Sequence, residues 1–358
     1  MQVIKPEKQF RDKSETSQVK MRSRIFFILA LLLICFFFLD IFLGSVTIKP
    51  GEVIRALFVD TGDNVHMIIM KFRIPKAITA MLVGVALSLS GLQMQTIFRN
   101  PMAGPYVLGV SSGAGLGVAI VVLGFPSGLA TGNLHSLGNW ILVISAWIGA
   151  GAVTVLIMFI SARVRDIMTI LIIGIMLASG ISAIVSIMQY FSDETMLKAY
   201  VLWTMGSLGN LSAGQLNVLV ISVFTGIILS IISVKMLNAL LIGENYARSI
   251  GLNVRIARVI IFTCTSILAG SITAFCGPIG FIGIAVPHIV RNLIKTSDHR
   301  ILVPGTILTG AAVMLVSDII SQLPGSENVL PVNSVTALIG IPVVIWVILH
   351  GKRNQELF

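Results

Sequence analysis

The sequence predicts an all-α, polytopic membrane protein of about ten transmembrane helices, and three observations carry that prediction. Hydrophobic residues make up 56% of the 358-residue chain and charged residues only 11%, against roughly 25% charged in a soluble globular domain. Apolar runs of the roughly 20 residues that a helix needs to cross a bilayer recur along the whole length, and the mean hydropathy is +0.96. The Lys and Arg residues, which leave a formal net charge of +10, fall in the short segments between those runs. In a membrane protein this pattern reports topology rather than a nucleic-acid partner.

Residues 1–24 hold seven Lys/Arg and no apolar face, which predicts a loosely held cytoplasmic tail. Ile25 to Gly44 is the first span; it lacks the small-x-small site of a cleaved signal peptide and is too long for one. Thr47 to Phe72 is a polar connection with turn chemistry at Pro50-Gly51. The second span runs from about Ile74 to Phe98, with Pro75 at its start, where a missing N–H costs nothing. Arg99-Asn100-Pro101 ends it. Further spans are expected at about 106–124, 138–161, 167–191, 214–236, 256–277, 279–295, 304–323 and 332–350. Around Cys276-Gly277-Pro278-Ile279-Gly280, either two helices turn within a few residues or one long helix breaks. Residues 25–350 thus read as one transmembrane domain, with a cytoplasmic tail at 351–358.

Orientation follows from counting charge. With the N-terminus inside, the inner segments hold 19 of the 25 Lys/Arg, and only Lys49, Arg55, Lys71, Arg73, Lys76 and Lys198 lie outside. The positive-inside bias therefore places both termini in the cytoplasm, as a multi-pass protein of the cell (inner or plasma) membrane. The long polar interruption from Ala239 to Arg258 is then cytoplasmic. Within it, Gly243 and Gly251 bracket one short helical stretch, and Glu244 and Arg248 form an (i, i+4) pair with the acid nearer the positive helix end. A charged, self-capped helix of this kind is a knob for a soluble partner to hold. The chain reads as the membrane half of a pump.

Several chemistries find no support. No GxxxxGK[ST] occurs, and the Gly109–Gly117 run has neither a preceding strand nor a closing lysine, so nucleotide binding belongs elsewhere. Cys35, Cys264 and Cys276 form no CxxC and read as small buried hydrophobes. His66, His135, His299 and His350 show no ligand spacing. His288, beside Pro287, reads as a helix-packing histidine in preference to a haem or metal ligand. No clustered His, Asp or Glu suggests an enzyme. Asp40, Asp166 and Asp318 sit at span ends, leaving mid-depth without a carboxylate. That disfavours the alternative, a secondary carrier driven by an ion gradient.

Other features carry two readings. Small residues at Ser88, Ser90, Gly91, Gly109 to Gly117, Gly174, Ser179, Gly180 and Ser182 suit close helix packing, and some could instead widen a path. Asn100-Pro101-Met102-Ala103-Gly104-Pro105 breaks the chain twice, as a gate or as plain helix termination. Arg73 and Lys76 share a helix face at the outer mouth of span two, as snorkelling cations or as a dock for an acidic partner. Leu82-x-Gly84 with Gly91 is echoed by Leu268-x-Gly270 with Gly277, in spans of opposite sense, as an inverted repeat would give or as coincidence.

With these residues collected, the chain closely resembles the FecCD/BtuC-like permeases of type II ABC importers for iron–siderophore, haem and cobalamin, from about Ile48 to Lys352. The matching stretches are Arg73-Ile-Pro-Lys76 with Leu82-Val-Gly84, Arg99-Asn-Pro-Met-Ala103 through Leu108-Gly-Val-Ser-Ser-Gly113, and Gly243-Glu244 with Ala247-Arg248 and Gly251-Leu252. Gly280-Phe-Ile-Gly283, Pro287-His288 with Arg291, Asp298-His-Arg300 and Ala337-Leu-Ile-Gly340 complete them. The resemblance implies an inverted-repeat, BtuC-like permease fold of ten helices and a homodimer with the path at its interface. It also implies two cytoplasmic ATPase subunits, which would bind the ATP and Mg and leave this chain without a cofactor, and an extracytoplasmic substrate-binding protein. By similarity, Gly243, Glu244, Ala247, Arg248 and Gly251 would form the ATPase-coupling helix. Arg73 and Lys76 would meet carboxylates of the binding protein, Asn100 and Met102 would belong to the cytoplasmic gate, and helix 167–191 would line the path. This chain departs from the pattern at Gln322, where relatives often carry arginine, and at Val329, where they often carry glutamate. Both departures bear on docking.

Overall fold

The computed structural model describes residues 5–44, 46–60, 62–124, 138–164, 166–209, 211–323 and 329–351. Among the described residues, fourteen α-helices follow one another in this order: α1 Lys5–Phe42, α2 Pro50–Phe58, α3 Asn64–Ile68, α4 Ile74–Ile97, α5 Val110–Leu123, α6 Gly138–Arg163 and α7 Ile167–Tyr190, then α8 Glu194–Thr204, α9 Ala213–Ile242, α10 Glu244–Ser249, α11 Val254–Cys276, α12 Ile282–Ile294, α13 His299–Ser321 and α14 Val332–Gly351. A π-helical turn over Ile69–Arg73 joins α3 to α4, and a 3-10 turn over Pro105–Leu108 precedes α5.

Among the described residues, seven helices are long and apolar enough to cross a membrane, and three shorter apolar ones lie at Val110–Leu123, Ile282–Ile294 and Val332–Trp346. Together they account for the ten expected spans. Apart from α1, expected and observed ends differ most at α9, which runs to Ile242 where 236 was expected; α5 and α12 are the short spans. Their 14 and 13 residues reach about 20 Å at 1.5 Å per residue, short of a hydrocarbon core of about 30 Å. Gly277 to Phe281 separates α11 from α12, so the chain here forms two helices. The backbone of α1 is helical from Lys5, so the first span continues back through most of the basic segment expected to be loosely held. Between Glu7 and Leu43 that stretch has no Pro or Gly, and it is rich in Lys, Arg, Glu and Gln, all good helix formers. Pro50, expected in a turn, instead opens α2, where its fixed φ suits a first helical residue. His135, Arg165 and the tail beyond Gly351 lie outside the described residues.

α4 is the axis of the bundle. Every residue from Val83 to Phe98 is buried, because α9, α11, α12 and α13 pack around it. Its most extensive crossing is with α13, where a Cβ on Gly84 would overlap the Gly310 carbonyl and one on Gly310 would lie 2.5 Å from the Gly84 carbonyl oxygen. Small residues here let two backbones touch, the packing that replaces a hydrophobic drive inside lipid. α5 and α6 cross in the same way at Gly113 and Gly149. The packing reading of the small residues holds at these sites, whereas Ser179, Gly180 and Ser182 on α7 are exposed.

The contacts carry a repeat that the glycine spacing shows only in part. α4 packs on α12 and α13, while α11 packs on α5 and α6. Each long helix is followed by a non-helical break and a short helix, α5 or α12. The glycines themselves play different parts: Gly91 meets the backbone of Gly283, whereas Gly277 ends α11 at φ 77°. α8, in the loop after α7, has no counterpart in the span pattern.

Candidate coupling, gate and docking sites

At one polar end of the bundle, α10 stands between two glycines. Gly243 has φ 137° and Gly251 φ 87°, conformations that L side chains rarely adopt, so the chain turns sharply on both sides of the helix. Ala247 is fully buried and pins α10 to the bundle. Its N–H donates to the Gly243 carbonyl at 2.9 Å, and its own carbonyl accepts the Leu252 N–H at 2.9 Å. Tyr246, Arg248 and Ile250 point outward. The five residues expected to form this site therefore come together on one projecting turn.

The expected Glu244–Arg248 pair is present at 3.3 Å, with Arg248 half-exposed. A stronger partner was invisible to helical spacing. Arg258, only 3% exposed, donates to Glu244 Oε1 through Nη2 at 2.5 Å and Nε at 3.1 Å, and through Nη1 to the Val164 carbonyl at 3.1 Å. Exposed (i, i+4) pairs contribute about 0.3–0.5 kcal/mol; a buried, forked guanidinium is the firmer tether. Nearby, Asp166 caps α7. Its carboxyl is held below the usual carboxylate range by the Thr169 hydroxyl first, then by the N–H groups of Thr169 and Met168.

The 99–105 turn lies beside α10, since a Cβ on Gly243 would sit 3.6 Å from Arg99 Nη1. Asn100 Oδ1 accepts the Met102 N–H at 2.9 Å, and the Asn100 carbonyl accepts the Ala103 N–H at 3.1 Å, which folds the turn on itself. Met102 is exposed at its tip. α12 fixes the turn from behind: His288 Nε2 lies 2.7 Å from the Pro101 carbonyl oxygen, Gln95 donates to the Ile284 carbonyl at 3.2 Å, and Arg291 donates to Gln95 Oε1 at 3.3 Å. His288 is buried between α12 and this turn. No group of three or more His, Cys, Asp or Glu able to hold a metal occurs among the described residues.

A second polar node joins α9, α13 and the C-terminal end of α4. Asn238 donates to Asp298 at 2.7 Å and accepts the His299 N–H at 2.9 Å. His299 Nδ1 lies 2.7 Å from Asn238 Oδ1 and Nε2 2.8 Å from Thr96 Oγ1. Since Asn238 Oδ1 can only accept, His299 carries its proton on Nδ1. Burial disfavours ionisation of Asp298, yet the Arg300 N–H and the Asn238 amide hold its carboxyl below the usual range. Sequence reading found only that His299 shows no ligand spacing.

At the opposite end, Arg73 and Lys76 are not one surface. Arg73 is 8% exposed. Its Nη1 donates to the carbonyls of Ile41 and Phe42 at 2.7 and 3.1 Å, and its Nη2 to that of Val46 at 2.5 Å. The expectation that its charge faces outward is therefore corrected: those carbonyls include the unsatisfied C-terminal ones of α1, and a guanidinium fork satisfies several at once. Lys76 turns instead to α13 and pairs with Asp318 at 2.9 Å, with about a fifth of its side chain exposed. Gln322 donates one amide nitrogen to Asp40 at 2.9 Å and to Asp318 at 3.1 Å. Gln322 thus bridges two buried carboxylates at the position where an arginine was expected. Val329 is exposed.

A cleft of about 300 Å³ opens between α5, α7 and α8. Ser111, Ser112, Ser182, Ser186, Gln189, Tyr200 and Thr204 give it hydrogen-bonding groups, and Ile181, Val185, Trp203 and Pro278 give it apolar surface. None of these lining residues is charged at neutral pH.

These features define a polytopic helical bundle with a short charged helix projecting from one end and a cleft along one side. Residues 31–350 match the FecCD transport family. The chain is 34% identical over 325 residues to the vitamin B12 import system permease protein BtuC of Escherichia coli O9:H4 (strain HS), covering 91% of this chain and 94% of that one. It is 34% identical over 297 residues to the hemin transport system permease protein HmuU of Yersinia pestis, covering 83% and 87%. A solved structure described as an inward-facing conformation of a metal-chelate type ABC transporter superposes with a TM-score of 0.79 at 28% identity, over 92% of this chain and 99% of that one. The class is that of multi-span transport permeases. The chain belongs to the FecCD transport family.

Proposed function

We propose that the chain is the membrane-spanning subunit of an ATP-binding-cassette importer that carries a large metal chelate (iron–siderophore, haem or cobalamin) into the cytoplasm. It works as a homodimer, with two cytoplasmic ATPase subunits and an extracytoplasmic substrate-binding protein. ATP and Mg are assigned to the ATPase, and this chain performs no chemistry. The observation that carries this reading is α10: a glycine-bounded, charged helix anchored by Ala247, projecting from the polar end of a permease of this family. The ATPase seats on Tyr246, Arg248 and Ile250, and Glu244 holds the helix in place from below.

Asn100 and Met102 belong to the cytoplasmic gate, because their turn abuts the Gly243 hinge. The hydroxyl-lined cleft along α7 is the wall of the path. Binding-protein docking rests on the outer surface around Lys76, with Arg73 holding the α1 end that supports it.

A secondary carrier is the competing reading: Asp40 and Asp318 are buried together, but at helix ends and not at the mid-depth where ion-driven carriers keep such groups. Proteoliposomes decide between them. Replacing Glu244 and Arg248 together by alanine is expected to weaken ATPase assembly or to raise ATP consumed per substrate imported. Unchanged stoichiometry in that variant removes the coupling role. Uptake by the purified chain alone under an ion gradient would replace the importer reading by the carrier.

A further inference from the structure

The guanidinium of Arg258 touches three elements. It lies on the second turn of α11 and grips Glu244, the first residue of α10, from the side through Nη2 and Nε. Through Nη1 it holds the carbonyl of Val164, which follows the last residue of α6 and stands two residues before Asp166, the N-cap of α7. α7 supplies Ile181, Ser182, Val185, Ser186 and Gln189 to the wall of the cleft. A continuous path of bonds thus leads from the exposed helix to the helix that walls the cleft.

The backbone alone does not provide this connection. Gly243 and Gly251 flank α10 with positive φ, and glycine permits both junctions to rotate. What ties the direction of α10 to the rest of the bundle is the packing of Ala247 and the fork on Glu244. A charge-assisted fork is short and directional, and parting a buried ion pair strands a charge away from water. Three elements joined at one planar group therefore move together more readily than they shear. Lysine offers a point charge in place of the fork and cannot span both oxygen sites in the same way.

We propose that Arg258 is a positioning residue that passes displacement of α10 to the cytoplasmic end of α7 through the Glu244–Arg258–Val164 link. Motion imposed at the coupling helix then reaches the cleft wall. The inference rests on the reading of α10 as the seat of an ATPase, and the experiment separates the two.

The full-length chain, co-purified with the ATPase subunit from its native membranes and placed in nanodiscs, is compared by amide hydrogen exchange with and without ATP plus vanadate. In the parent complex, exchange is expected to change at residues 243–251 and at 164–170 together. Arg258→Lys is expected to keep the ATPase bound and the change at 243–251, while the change at 164–170 falls by about fivefold, the scale on which linking residues modulate coupling. Glu244→Gln, which keeps the shape and removes the charge, is expected to lower the change at 164–170 as well and carries the test should Arg258→Lys fail to accumulate. An undiminished change at 164–170 in either variant overturns the link and leaves α10 as the coupling helix. No nucleotide-dependent change at 243–251 in the parent complex removes the coupling reading, and the link with it.

Discussion

Lys76, Asp318, Gln322 and Asp40 show what a single side chain can settle at the end of the bundle opposite α10. Asp318 is fully buried and its cation is Lys76, so Lys76→Ala strands a carboxylate. A loss of about 3–5 kcal/mol is expected, the cost of breaking a buried pair from one side. Thermal unfolding in detergent measures it, and adding Asp318→Asn to the same chain should recover most of the loss. If the double variant is no more stable than Lys76→Ala, the pair is not the cause. Arg73 makes a separate case. Replacing it by alanine frees the carbonyls of Ile41, Phe42 and Val46 and should cost about 1–3 kcal/mol. Exchange at residues 41–46 should rise with it. Helical spacing suggested one shared face for Arg73 and Lys76, but it could not tell that one turns to α1 and the other to α13. Those partners lie far away in sequence.

Helix crossings and caps carry the predictions at the scale of elements. Gly84→Ala drives a methyl into the Gly310 carbonyl and should open the α4–α13 crossing, at about 1–3 kcal/mol as for other overpacked sites. Gly151→Ala, with nothing within 4 Å of its added methyl, is expected to leave the melting temperature unchanged. Equal effects of the two would show that the crossing is not tight. Asp166 and Asp298 cap α7 and α13. Each carboxyl is held below its ordinary value when folded. Their stabilisation is therefore complete above the unfolded pKa near 3.9 and fades as pH falls through the lower folded value. Amide exchange in the first turns of α7 and α13 should accelerate below about pH 4 and not between about pH 5 and 8. Acceleration in the neutral range would rule these caps out as the cause. The caps are visible in the sequence as Asp before an apolar run. The partner of each crossing glycine is not.

Orientation belongs to the whole molecule. Nineteen basic residues on one side predict that α10 faces the cytoplasm and α8 the exterior. In intact cells, a membrane-impermeant maleimide should label Lys198→Cys directly and Ser249→Cys only after permeabilisation. The reverse pattern inverts the topology and removes α10 from any cytoplasmic ATPase. Cys264 and Cys276 are buried as expected, whereas Cys35, expected to be buried, is exposed on the apolar first span, so the parent chain supplies the background.

Sequence by itself determined the class of fold, the number and order of spans, the excess of charge on one side, and the charged helix between two glycines. Each of these is local: hydrophobic length, turn chemistry and (i, i+4) spacing act within a few residues. It also carried the motifs by which the family could be recognised. Only the tertiary structure decided that Glu244 answers to Arg258, that Arg73 is buried under α1, that α5 and α12 stop short of a full span, and that Asn238, His299 and Thr96 form one node. These depend on which helices meet. Inside a bundle whose surfaces are apolar all round, periodicity does not say which face of which helix a given residue will find.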